Sequence, residues 1–218
     1  MQQLIEGVHK FRDDEFGNYR KHFRKLSQEG QNPHTLFITC SDSRVRPADL
    51  TQTQPGELFK CRVVGNIIPA HGTIAGGVTA AIEYAVMVLG VESIVVCGHS
   101  DCGAMRAFSQ PEKLEGMKAV RSWIEHAETA IAVAKEHHGH LEGDEFLTAL
   151  SKENVVSQLQ HLRTHPCVAT RLRRGTLQIE GWYYDIGQGT IEQFDPETGI
   201  FVPMDKIEEH EALQVSRA

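Results

Sequence analysis

Of three short runs, Thr35 to Cys40 (Thr-Leu-Phe-Ile-Thr-Cys), Leu58 to Val64 and Ser93 to Cys97 (Ser-Ile-Val-Val-Cys), the first and third are apolar along almost their whole length and the second is interrupted by Lys60 and Arg62. A strand with one wet face alternates polar and apolar residues, whereas a strand covered on both faces reads as a continuous apolar run. These runs therefore predict buried strands. Gln54-Pro55-Gly56 makes a turn before the second, and Gly77 to Leu89, almost wholly apolar and closed by Gly90, is a helix leading to the third. Strand and helix in alternation is the βαβ rhythm of a parallel sheet.

Downstream, Met117 to Lys135 and Glu145 to Leu162 read as amphipathic helices, the second stopping near Pro166. Thr176 to Ile186 and Thr190 to Phe194 flank Gly187-Gln188-Gly189 as a hairpin, so the sheet is expected to end in an antiparallel edge. Upstream, Leu4, Val8, Phe11, Phe16, Tyr19, Phe23 and Leu26 recur mostly at steps of three and four, a helical stripe ended by Gly30. This arm, over residues 1–30, is free to pack on its own domain or on a second subunit. No repeat or linker divides the chain. The expectation is one α/β domain over 1–218, with a central, mostly parallel sheet, an antiparallel edge, flanking helices and a long N-terminal helix.

The apolar fraction of 40% is ordinary for a globular protein. A net charge of -7 argues against a nucleic-acid partner, whose phosphates select clustered Lys and Arg. Arg171, Arg173 and Arg174 form the one basic cluster, read as a solvated helix end. Met1 to Phe11 carries Glu6, His9 and Lys10 and lacks a signal-peptide core, and no apolar run is long enough to cross a bilayer. A cytoplasmic location with no membrane partner follows. Five cysteines, an odd number in a reducing compartment, then point to metal or catalytic use rather than disulfides. Cys61, Cys97 and Cys167 read as buried structural thiols.

Cys40 and Cys102 are different. Cys40 closes the first strand and opens Cys40-Ser41-Asp42-Ser43-Arg44, while the third strand runs into Gly98-His99-Ser100-Asp101-Cys102-Gly103. Ligand sites in open parallel sheets gather beyond the carboxyl ends of strands, where these two segments can face each other. Two thiolates and an imidazole suit zinc, and three protein ligands leave a fourth position open, as in catalytic sites. Asp42 stands two residues from a ligand and Arg44 two further on. Such an arginine can hold the carboxylate off the metal as a bidentate pair, which makes the two a gate.

Cys40-Ser-Asp-Ser-Arg44, Ala81-Ile-Glu-Tyr-Ala85 and Gly98-His-Ser-Asp-Cys-Gly103 together resemble the β-class carbonic anhydrases. The likeness extends to Gln54-Pro55-Gly56-Glu57, Glu153-Asn154-Val155 and Gly181-Trp-Tyr-Tyr-Asp185, and is nearest to the bacterial branch associated with cyanate metabolism. It implies one Zn2+ per chain on Cys40, His99 and Cys102, Asp42 and Arg44 as the catalytic dyad, and Gln31 and Gly103 as substrate contacts. It also implies the reversible hydration of carbon dioxide to bicarbonate by a hydroxide on the metal, and a homodimer or homotetramer. Two thiolates neutralise the ion, so activity is expected to rise toward alkaline pH. Asp42 is expected to cap the metal at low pH, and His34, His71 and His126 are candidate proton relays. Val63 stands where the family usually has Asn. Phe37 stands where bicarbonate-regulated members have Trp, with Arg62 and Tyr184 in the other two positions of that regulatory site.

Three other readings compete. The same fold and metal can hydrolyse carbon disulfide or carbonyl sulfide, the zinc can be purely structural, or Cys97 and Cys102 can form a redox pair. The last lacks the usual Cys-x-x-Cys spacing.

Overall fold

The computed structural model describes residues 1–73 and 76–206, so that 207–218 of the expected span 1–218 lie outside the described residues. Two helices, α1 (Gln2–Lys10) and α2 (Phe16–Glu29), are joined by a π-helical turn over Phe11–Glu15. The turn explains the outlier in the stripe, because Phe11 and Phe16 are five apart and one extra residue per turn keeps both on the same face. Phe11 and Phe23 would lie about 18 Å apart along a straight helix. Their ring centroids are 6.5 Å apart, so the arm bends around its aromatic cluster. Leu4, Ile5, Val8, Phe11 and Tyr19 all remain exposed.

Then follow β1 (Thr35–Cys40), α3 (Pro47–Thr51), β2 (Leu58–Val63), α4 (Gly77–Glu83, continued as a π turn over Tyr84–Val88) and β3 (Ser93–His99). Next come α5 (Gly103–Ser109), α6 (Lys118–Ile124), α7 (Glu128–His138), α8 (Gly143–Arg163) and α9 (Pro166–Arg173). The chain then returns to the sheet as β4 (Gln178–Asp185), β5 (Thr190–Asp195) and β6 (Ile200–Pro203). The sheet has six strands in the order β2-β1-β3-β4-β5-β6. Its first four strands are mutually parallel and β5 and β6 antiparallel, as the sequence led one to expect.

Leu36, Ile38, Ile94 and Val96 face one side of the sheet, under α4, α8 and α9. Phe37, Val95 and Cys97 face the other, where Trp182 and Tyr184 adjoin them. Two glycines set how closely α8 approaches. A Cβ on Gly98 would lie 2.7 Å from Val155 Cγ2 and 3.3 Å from the Ser151 carbonyl oxygen, and one on Gly181 would lie 2.8 Å from Val155 Cγ1. Val155 fills the space that both glycines leave. Gly98→Ala is therefore expected to cost about 1–3 kcal/mol of overpacking. Urea midpoints check this, and Val155→Ala added to it should recover part of the loss, whereas two additive losses would contradict the packing.

Two expectations are corrected and a third, the stop near Pro166, is extended. Met117 to Lys135 is not one helix, because a 3-10 turn at Glu125–Ala127 separates α6 from α7. Trp123 donates from Nε1 to the Val64 carbonyl and Ile124 is buried, which draws α6 over the segment after β2. Ala127, Ala130 and Ala134 instead pack α7 into the core. Pro166 does more than stop α8: it occupies the first turn of α9, where its missing N–H costs nothing. Arg171 is half-buried and donates to the carbonyls of Val86, Val91 and Thr176, while Arg173 and Arg174 are exposed as expected.

Candidate metal centre

From β1 the chain steps outward to β2 and then crosses back over β1 to β3. Adjacent parallel strands whose connections leave in opposite directions open a crevice at their carboxyl ends. Cys40 is the last residue of β1 and His99 the last of β3, so both stand at that crevice. Cys102 follows at the N-cap of α5. The ligand atoms of Cys40, His99 and Cys102 lie within 4.8 Å of one another, and all three residues are buried.

The donor set fits a zinc ion. His99 Nδ1 lies 2.8 Å from the Ser100 carbonyl, which can only accept, so Nδ1 carries the proton and Nε2 presents its lone pair. That Nε2 is fully buried and has no hydrogen-bond partner among the described residues, an arrangement that an ion relieves. Ser100 is itself pinned to β4, its N–H donating to the Tyr184 carbonyl and its hydroxyl accepting from Ile186.

The two thiols share charge unequally. Hydrogen bonding from Cys102, outweighing burial, holds the Cys40 thiol well below its ordinary range, while its contact with Cys40 and its own burial push Cys102 far above that range. The opposed directions make Cys40 the first of the two to ionise. The second does so when a cation arrives. Zinc uptake near pH 7 is therefore expected to release about one proton per ion rather than two, with affinity falling as pH drops. Calorimetry in two buffers of different ionisation enthalpy measures that count.

Buried polar side chains on α8 hold the floor of the site. Asn154 Nδ2 donates to the Gly65 carbonyl, Gln158 Nε2 donates to Asn154 Oδ1, and Gln158 Oε1 accepts from Ile68 N–H. Gly65 N–H in turn donates to Cys40 Sγ at 3.4 Å. Gly65 has φ 67, a conformation that favours glycine, and a Cβ there would lie 3.0 Å from the Ala104 methyl. Arg62 donates from Nε and Nη2 to the Cys40 carbonyl and from Nη2 to the Asp42 carbonyl, fixing the turn that carries Asp42.

Asp42 and Arg44 meet as a fork. Arg44 Nε and its backbone N–H donate to Asp42 Oδ1 at 3.0 and 2.9 Å, and Nη2 donates to Oδ2 at 2.8 Å. These bonds hold the Asp42 carboxyl far below the usual carboxylate range. Asp42 Oδ2 lies 4.0 Å from His99 Nε2, so the carboxylate borders the ligand cluster while paired with Arg44.

The remaining expectations fall variously. Gly103 is exposed beside Cys102, with nothing within 4 Å of the position its Cβ would take. Gln31 and His34 precede β1 and so sit at the end of the sheet opposite Cys40. Within one chain Gln31 cannot reach the site. His71 packs edge-on against His165 and His126 edge-on against Trp123. Phe37 packs edge-on against Trp182, and Tyr184 adjoins the same cluster. Cys97 points into this cluster, away from Cys102, and burial pushes its thiol up to about 12, which removes the redox-pair reading.

Two further residues, Asp101 and Arg106, belong to the site and carry no signal of their own in the sequence. Asp101, in the left-handed region at φ 52, accepts from Arg44 Nη1 at 3.0 Å, and Arg106 donates to it at 2.6 Å. Nothing in the one-dimensional pattern sets Asp101 beside Arg44, since β1 and β3 have to pair first.

The model of the carbonic anhydrase family matches residues 35–191. A carbonic anhydrase of Pseudomonas aeruginosa is 48% identical over 204 residues, 94% of this chain and 92% of that protein. Carbonic anhydrase 1 of Escherichia coli O157:H7 is 43% identical over 94% of this chain and 92% of its own length. Among solved structures, the β-carbonic anhydrase CcaA superposes with a TM-score of 0.90 at 43% identity, covering 93% of this chain and 91% of that one. A structure of tetrameric β-carbonic anhydrases from Sordaria macrospora gives 0.79 at 28% identity, covering 88% and 95%. Fold, ligand triad and relatives agree, and the chain belongs to the carbonic anhydrase family, in its β class.

Proposed function

We propose that this protein is a zinc-dependent carbonic anhydrase that interconverts carbon dioxide and bicarbonate, with Asp42 and Arg44 as its catalytic pair. The observation that carries the reading is a buried cluster of three donors, among the described residues, bordered by a carboxylate held in a fork by Arg44. A purely structural zinc would be served by a fourth strong ligand and has no use for a restrained carboxylate.

Cys40, His99 and Cys102 would hold the ion, which when bound supplies an acidified water near neutral pH. The residues of the chain do the rest. Arg44 fixes the Asp42 carboxylate, whose free lone pairs accept the hydrogen bond of the attacking water and so orient it. Ile67, Ala104 and Met105 make an apolar wall beside the two cysteines, which suits an uncharged, apolar substrate. Gly103, with open space at its Cβ position, leaves backbone available to a product oxygen. When Arg44 releases it, Asp42 is close enough to become a fourth ligand and close the site.

The exposed apolar face of α1 and α2 supports a homodimer or homotetramer, and one of the similar structures is described as tetrameric. Gln31 contacts substrate in this reading only from a neighbouring subunit. No described helix is long and apolar enough to cross a membrane. Five unpaired cysteines support a reducing, cytoplasmic setting. The test is stopped-flow turnover of carbon dioxide between pH 7 and 9, with carbon disulfide as competitor substrate. Hydration of carbon dioxide that rises with pH is expected. Turnover of carbon disulfide alone would overturn the assignment.

A further inference from the structure

Arg44 is gripped from both sides. One edge of its guanidinium meets Asp42, and the other meets Asp101, Nη1 donating to Oδ2 at 3.0 Å and Nη2 to the Asp101 carbonyl at 3.1 Å. Asp101 is itself held from beyond, because Arg106 Nη2 donates to its Oδ1 at 2.6 Å, and Arg106 reaches on to Asp144 at 3.1 Å. The result is a row of alternating charge running outward from the metal centre: Asp42, Arg44, Asp101, Arg106, Asp144. Asp101 enters the row through an unusual backbone. Its φ of 52 is uncommon outside glycine, although Asp and Asn tolerate it better than most residues. That conformation aims both its carbonyl and its carboxylate at Arg44.

Alternation gives each member a sign. Asp101 competes with Asp42 for one guanidinium and repels the Asp42 carboxylate across it, so it favours the state in which Asp42 has left Arg44. Arg106 neutralises Asp101 and so weakens that competition. We infer that Asp101 and Arg106 are opposed positioning residues for the Asp42–Arg44 gate, Asp101 promoting release of Asp42 toward the metal and Arg106 opposing it. This rests on the reading of Asp42 as a carboxylate that can close the site. Asp144, 89% exposed, ends the row with little effect.

The side chains of Arg44, Asp101 and Arg106 are 43%, 55% and 41% exposed, so the charge terms are partly screened and the effects are modest, about two- to fivefold each at low salt. The test uses cobalt in place of zinc, the visible spectrum of the ion reporting its coordination, with thiocyanate titrated at fixed pH as a probe of the open fourth position. Asp101→Asn keeps the backbone preference and shape while removing the charge. It is expected to bind thiocyanate about threefold more tightly than the parent, and Arg106→Gln about threefold more weakly. Raising the ionic strength should shrink both differences.

A residue that merely braced the loop would give losses of the same sign in both variants, and that result would overturn the inference, as would two unchanged affinities. If Asp101→Asn fails to hold cobalt, Arg106→Gln decides alone: weaker binding upholds the inference and parental binding overturns it. Asp42→Asn separates the two levels. Thiocyanate affinity raised in Asp42→Asn but parental in the other two variants would leave the gate standing and remove its control by Asp101 and Arg106. Parental affinity in Asp42→Asn would remove the gate and this inference with it.

Discussion

His99→Ala protein is expected to purify without stoichiometric zinc and to hydrate carbon dioxide at the rate of the buffer alone, a loss on the order of 10⁴-fold or more. The size follows from how the site is built. Nε2 of His99 is a buried lone pair with no other partner among the described residues, and the two thiols that remain sit in contact, one of them resisting ionisation. With only two donors a divalent cation gains too little to offset the deprotonation of Cys102. The sheet should survive, since Leu36, Ile38, Ile94 and Val96 pack independently of the ion on the face under α8. Metal analysis beside far-UV circular dichroism separates loss of zinc from loss of fold. A folded variant that retained one zinc and full rate would remove His99 from the ligand set.

Asp42→Asn gives the second largest effect, about 10²-fold in kcat with zinc content unchanged. The amide matches the carboxylate in shape and keeps one acceptor for the Arg44 backbone N–H, but it offers Arg44 a donor where Oδ2 accepted. The fork is lost, and with it the fixed acceptor that orients the attacking water. Arg44→Gln should cost a similar amount by leaving Asp42 unrestrained. Because each residue works through the other, the double variant is expected to be scarcely worse than either single one. Stopped-flow rates on metal-quantified samples check this, and multiplicative losses would show that the two act separately.

The parts of the fold set by local pattern were legible in the sequence. Continuous apolar runs marked β1 and β3, the Gln54-Pro55-Gly56 turn and the mixed run after it marked β2, the Gly187-Gln188-Gly189 turn marked the hairpin, and the stripe from Leu4 to Leu26 marked the arm. What escaped was decided by contacts distant in the chain. The break between α6 and α7 follows from Trp123 reaching the Val64 carbonyl. The strand β6 is only four residues long and gains its place from pairing with β5 and from Lys152, which binds Glu192 and lies over the Tyr183 and Phe201 rings.

The site divides in the same way. Cys40, His99 and Cys102 stood out because strand ends adjoin in a parallel sheet, so two motifs far apart in sequence had a reason to meet. Asn154 and Gln158, by contrast, are polar residues in the middle of an amphipathic helix. Their part in holding Gly65 against Cys40 appears only once α8 lies on Gly98 and Gly181. Asp101 was visible as a letter within a motif, but its grip on Arg44 depends on the pairing of β1 with β3. Gln31 shows the converse. Its resemblance to a substrate contact came from sequence, and its position before β1 puts it at the far end of its own chain.

The most direct test is a titration of zinc into chelator-stripped protein while carbon dioxide hydration is followed at pH 8.5. No rate above buffer is expected at the start, then a linear rise and a plateau at about one zinc per chain. Full activity in the stripped protein, or one zinc bound per chain with no hydration above the buffer, would contradict this.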